Sequence, residues 1–108
     1  MDETTYHRIA DRFLEAITDQ LETQDTVGLL EVELAGGVLT IELPSGKQFV
    51  VSKHTISRQM WLSSPLSGGL HFPYTDQGWV LSDQRELSVL LAQEISQLAA
   101  QPFTLKMQ

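Results

Sequence analysis

The chain has 108 residues, enough to bury one core and too few for two domains. Apolar residues make up 42% and charged ones 19%, and no apolar run approaches the roughly 18 residues of a membrane span, so a soluble globular protein is expected. With no cysteine it can form no disulfide, hold no cluster through thiolates and carry no persulfide, and a formal charge of −7 argues against nucleic acid or an anionic membrane as its main ligand.

The charge is unevenly placed. Residues 1–42 hold ten carboxylates against Arg8 and Arg12, residues 43–75 hold Lys47, Lys53 and Arg58 with no acid, and residues 76–108 hold four acids against Arg85 and Lys106. A cation or a basic protein surface is the ligand such a field suits. The opening Met1-Asp2-Glu3-Thr4-Thr5 lacks the basic, apolar character of a secretory signal and the Arg-rich character of a transit peptide. The protein is expected to stay in the cytoplasm unless a presequence has been removed.

From about Glu3 to Thr23, Tyr6, Ile9, Ala10, Phe13, Leu14, Ile17 and Leu21 recur at three- and four-residue spacing, which predicts a helix with one apolar face. At about 100° per residue, Glu3, His7, Asp11, Glu15, Asp19 and Glu22 form a stripe on its other side. The period then becomes two. Leu30, Val32 and Leu34 alternate with Glu31 and Glu33, Ala35-Gly36-Gly37 turns into a strand from Val38 to Leu43, and Pro44-Ser45-Gly46 turns into another from Lys47 to Ser52.

A fourth strand is predicted at Gln59–Ser63, with shorter ones around Leu70–Phe72 and Trp79–Leu81, and Gly68-Gly69 reads as a turn. Asp83 with Glu86 three residues later reads as a capping box opening a second helix, whose Leu87, Leu90, Leu91, Ile95 and Leu98 form an apolar face before Pro102. Two helices with one apolar face each, around one antiparallel sheet of five to six strands, pack most economically on the same side. The expected fold is an α+β, two-layer α/β sandwich in a single domain spanning residues 1–108.

The acidic stripe with Glu31, Glu33 and Glu42 is the constellation that carries chemistry. An acidic helix face is usually just solvated. Here, however, like charges at i,i+4 destabilise a helix by roughly 0.2–0.5 kcal/mol per pair, and the helix supplies little compensating Lys or Arg. Hard oxygen ligands with one imidazole suit Fe²⁺, Fe³⁺, Mn²⁺ or Ca²⁺, loosely and with many waters. His7 lies i,i+4 from both Glu3 and Asp11, a spacing in which imidazole and carboxylate can share an ion, although an exposed helix histidine is the commoner case. His54 and His71 read as solvent-facing. Trp61 alternates in phase with Gln59 and Ser63, opposite Met60 and Leu62, which predicts a ring on the outer sheet face, a candidate contact unless the following loop covers it; Trp79 is assigned to the core. No nucleophile elbow and no phosphate-cradling glycine loop is present, so nothing supports covalent catalysis.

The segment Gln59-Met60-Trp61-Leu62-Ser63-Ser64-Pro65, preceded by Lys53 and Arg58 and followed by Gly68-Gly69, resembles the signature strand and loop of frataxins. Gly37-Val38-Leu39-Thr40-Ile41, the Tyr6-His7-Arg8 and Ala10-Asp11 start of helix 1 and the Trp79 strand agree in order and spacing. The chain as a whole resembles a bacterial-type member, which implies the bacterial cytoplasm, or the mitochondrial matrix if a presequence has been removed. Ser52, His54 and Ile56 depart from the Asn, Gln and Pro common in that family, and Ser63-Ser64-Pro65 looks more like eukaryotic members. The resemblance implies a frataxin-like sandwich with weak surface iron (Fe²⁺ or Fe³⁺, other divalent cations being possible) on Glu3, His7, Asp11, Glu15, Asp19, Glu22, Glu31 and Glu33. It also implies contact with a cysteine desulfurase and an iron–sulfur cluster scaffold protein, through Asp11, Glu15, Glu31, Glu33, Gln59 and Trp61.

The expected function is therefore modulation of cluster assembly by a monomer that is not itself an enzyme. The alternatives are a ferroxidase or iron store, in an iron-driven oligomer, and a metal-independent adaptor. Paired Glu-x-x-His motifs that would mark a dinuclear oxidation site are absent from the sequence. In the tail, Phe103, Leu105 and Met107 alternate with Thr104 and Lys106, the pattern of an extended segment laid along the groove between the two helices, as frataxin tails are.

Overall fold

The computed structural model describes residues 1–107. Helix α1 runs Glu3–Gln24; its start is fixed by Asp2, whose carboxylate accepts from the Thr5 amide at 2.7 Å, satisfying one of the donors that a helix start leaves free. Six strands follow: β1 Glu31–Ala35, β2 Val38–Glu42, β3 Gln48–His54, β4 Gln59–Ser64, β5 Gly68–Thr75 and β6 Gly78–Trp79, before helix α2 at Leu87–Ala99. They form one antiparallel sheet in sequential order. Gly36 and Gly37, at φ 58° and 77°, close the β1–β2 hairpin in the left-handed region that its two-residue turn requires.

Register puts Val32, Ile41 and Phe49 in one row and Leu39, Val51, Leu62 and Leu70 in another, all on the same face. Against that face pack Tyr6, Phe13, Leu14, Ile17 and Leu21 from α1 and Leu87, Leu91 and Ile95 from α2, in one hydrophobic core. The expected two-layer sandwich with both helices on one side is what forms. Trp79 is buried in it, edge-on to Tyr6 and Tyr74. No helix among the described residues is long and apolar enough to cross a membrane.

Two local expectations are corrected. Gly68 and Gly69 are strand residues, paired with Ser64 and Ser63, so the β4–β5 connection is only Pro65-Leu66-Ser67. The short turn holds because the Ser64 hydroxyl accepts from the Leu66 and Ser67 amides while donating to buried Glu94 of α2. Asp83 does not cap α2. It accepts from the Arg85 amide and Nε within a tight turn that places Gln84 at φ 74°, and Glu86 is the cap, accepting from the Ser88 amide at 2.6 Å. The positive φ at Gln84 and the Leu81 amide bond to the Arg85 carbonyl hold residues 81–85 in a turn, so the helix starts four residues after Asp83.

Beyond α2 the tail is built into the fold. Phe103 and Leu105 are buried, and two glutamines one helical turn apart on α1 clamp its backbone. Gln24 accepts from the Thr104 amide and donates to its carbonyl, and Gln20 does the same for Lys106, at 2.6–2.9 Å. Each amide side chain thus imitates the paired bonds of a neighbouring strand.

Candidate functional site

Helix geometry places Glu15, Asp19 and Glu22 within about 60° of one another on the solvent side of α1, all exposed. Around them the structure sorts the ten carboxylates of residues 1–42 into two groups. Five are engaged within the chain. Asp2 caps α1, and Asp25 accepts from the amides of Leu29 and Leu30, both at 2.8 Å, shaping the loop into β1. Asp11 bonds Lys53 Nζ at 2.7 Å, Glu3 lies 3.7 Å from both Arg58 and His7, and Glu42 accepts from Gln48. Glu15, Asp19, Glu22, Glu31 and Glu33 form no ion pair or side-chain hydrogen bond with the described residues.

Within α1 itself little Lys or Arg compensates the acidic stripe. Lys53 and Arg58 come across from β3 and the β3–β4 turn, and at its N-terminal end the stripe is neutralised from the sheet. His7 faces Glu3, while Asp11 is taken by Lys53. His7 is half-buried against Tyr6, with Nε2 towards Glu3 and a buried Nδ1 that has no partner among the described residues.

Glu31 and Glu33 are exposed residues of edge strand β1, flanking core-facing Val32. They point to the sheet face opposite the helices, so the free carboxylates lie on two surfaces meeting at the β1 edge. Among the described residues no three His, Asp or Glu side chains come together in a chelating group. Open, singly placed carboxylates suit a hard cation carried loosely as cargo, with most of its ligands water.

On the outer sheet face Trp61 stands where alternation places it, yet it is half-buried. His54 of β3 and His71 of β5 lie against its two faces, with ring centroids at 3.8 and 4.0 Å and planes within 8° and 13° of parallel. Trp61 Nε1 donates to Gln59 Oε1 at 3.0 Å, so the two residues singled out from the sequence are joined. The histidines were missed as members of this site; a signal was available, since His54, Trp61 and His71 share the parity of their strands' outward positions.

Fold and site define an acidic two-layer α–β sandwich with a carboxylate-lined helix and an aromatic outer sheet face. A family model described as the frataxin-like domain matches residues 1–101, and the chain belongs to the frataxin family. The iron–sulfur cluster assembly protein CyaY of Vibrio cholerae is 36% identical over 104 residues, covering 94% of this chain and 96% of that protein. The mitochondrial frataxin homolog of Saccharomyces cerevisiae is 35% identical over 94 residues, 83% of this chain; the chain spans 54% of that longer protein.

Among solved structures, frataxin from Psychromonas ingrahamii superposes with a TM-score of 0.88 at 18% identity, covering 99% of this chain and all of that one, a likeness of fold alone. Trimeric yeast frataxin complexed with ferrous iron gives 0.72 at 31% identity over 94% of this chain and 88% of that one.

Proposed function

We propose that this chain is a single frataxin-like domain, residues 1–108, that serves iron–sulfur cluster assembly as a non-catalytic modulator in the cytoplasm. Glu15, Asp19 and Glu22 on α1, with Glu31 and Glu33 on β1, carry ferrous iron loosely and dock against a basic groove of a cysteine desulfurase. Gln59 and Trp61 on the outer sheet face contact the scaffold protein. Glu3, His7 and Asp11 have a smaller share, because their charge is partly taken up by Arg58 and Lys53.

The observation that carries this reading is the sorting of the carboxylates. Five have structural partners, and the five without one among the described residues line α1 and the adjoining sheet edge, where a cation or a basic surface would relieve their repulsion. The assembly role named for the Vibrio relative and the ferrous iron in the yeast structure support it.

The test is desulfurase turnover with and without Fe²⁺, comparing the natural chain with a Glu15→Lys/Glu22→Lys variant. The natural chain is expected to change the turnover rate in an iron- and salt-dependent way, and the variant to lose that effect while melting normally. A variant that acts like the natural chain at low ionic strength would overturn the docking surface.

A further inference from the structure

The three-ring stack on the outer sheet face follows from register. Trp61 and His71 are direct cross-strand partners, whereas the partner of Trp61 on β3 is Ser52, so His54 reaches the indole along the diagonal. The stack is braced by polar contacts: His54 Nδ1 and Ser57 Oγ are 2.6 Å apart, and Ser57 Oγ and Trp61 Nε1 both donate to Gln59 Oε1 at 3.0 Å. Both faces of the indole are occupied, leaving the ring edges and the outer faces of the imidazoles to meet a partner.

We propose that this stack is a proton-gated docking surface for a carboxylate-bearing protein segment, engaged through the imidazolium forms of His54 and His71. The inference rests on the sheet-face contact with the scaffold proposed above and adds to it the chemistry of the contacting segment and its regulation. Histidine changes charge across the physiological range, and an imidazolium on an indole face is a cation–π contact, so charging the two rings leaves the stack assembled.

Among the described residues no carboxylate answers those charges. Residues 43–75 contain none. The outer-face acids Glu31, Glu33 and Glu42 lie on β1 and β2, with Gln48, Val50 and Ser52 of β3 between them and Trp61. β4 presents only Gln59, Trp61 and Ser63 on this face, and β5 only Gly69, His71, Pro73 and Thr75. From the opposite face, Lys53 and Arg58 turn towards Asp11 and Glu3 of α1, and the Tyr6 hydroxyl donates to the Gln59 carbonyl. A partner carboxylate is the complement this surface lacks.

The experiment uses the full chain and the isolated scaffold protein. Protonation of rings lying on Trp61 is expected to quench its emission as pH falls from about 8 to about 6, while buried Trp79 stays constant; His54→Gln/His71→Gln removes the quenching. Over the same range, calorimetry should find scaffold binding roughly tenfold tighter at the lower pH for the natural chain and unchanged for the double variant. Affinity that stays flat or weakens on acidification overturns the proposal, as does a double variant that keeps the pH dependence. If Trp61→Ala binds like the natural chain, the sheet-face contact itself fails. If Trp61→Ala binds weakly while the histidine variant behaves like the natural chain, only the proton gate fails.

Discussion

Lys53, on β3, bonds Asp11, on α1, at 2.7 Å, with its aliphatic stem lying across Gly37. The lysine side chain is only 16% exposed, and a Cβ at Gly37 would stand 3.0 Å from its Cε. A tight hairpin turn, a long cationic side chain and one helix carboxylate thus pin the first helix to the sheet.

This pair divides the acidic stripe of α1 into a structural and a free part, and mutations there should separate. Asp11→Lys sets two ammonium groups against each other and should destabilise the fold by about 1–2 kcal/mol, reduced from a buried pair's worth because Asp11 is half exposed. Glu15→Lys, which relieves repulsion along α1, should leave stability unchanged or raise it by a few tenths of a kcal/mol. Urea denaturation of the two single variants reads the difference, and equal stabilities would remove the Lys53 anchor from the account.

The two tryptophans offer a second contrast. Trp79→Ala truncates a side chain that is 1% exposed and should cost about 3–5 kcal/mol. Trp61→Ala removes a ring held between two imidazoles outside the core, and about 0.5–1.5 kcal/mol is expected. Chemical denaturation followed by circular dichroism measures both, and a Trp61→Ala protein as unstable as Trp79→Ala would contradict the face assignment.

Removing the tail after Gln101 exposes the ground beneath Phe103 and Leu105, each contributing about 1.5–3 kcal/mol before the entropy of ordering the segment is charged. The melting temperature should fall by at least several degrees, on the order of 4–8 °C per kcal/mol for a domain of this size. Gln20→Ala with Gln24→Ala, which cuts the clamps and leaves the apolar contacts, should reproduce part of the loss. A truncated chain that melts with the full-length one would show the tail to be dispensable.

At the start of α1, the bond from the Thr5 amide holds the Asp2 carboxyl below the ordinary value of 3.8. Its pKa is depressed on folding, so its contribution is present above the unfolded value and lost as pH falls through the lower folded one. Asp2→Ala should therefore melt below the natural chain at neutral pH, and the gap should close as the carboxyl protonates in strong acid. Calorimetric melting curves across that range test it; a gap independent of pH would mean that the carboxylate charge is not what caps the helix.

How much was legible in advance follows from the range over which each feature is decided. The 3.6-residue spacing of Tyr6, Phe13, Ile17 and Leu21, the alternation of Leu39, Ile41, Phe49 and Val51, and the Gly36-Gly37 turn are local, so the sequence alone determined the elements, their buried faces and the layered class. The outward position of Trp61 and the inward one of Trp79 belong to the same set.

Which carboxylates remain free was not legible, because Asp11 finds Lys53 across 42 residues and Glu3 finds Arg58 across 55, and only packing brings those pairs together. The same holds for the glutamine clamps on the tail and for the two histidines on Trp61. Periodicity tells a side chain which face to take, but its neighbours on that face are set by strand register and by where α1 crosses the sheet. Those are properties of the assembled tertiary structure, since they depend on pairings between segments far apart in the chain.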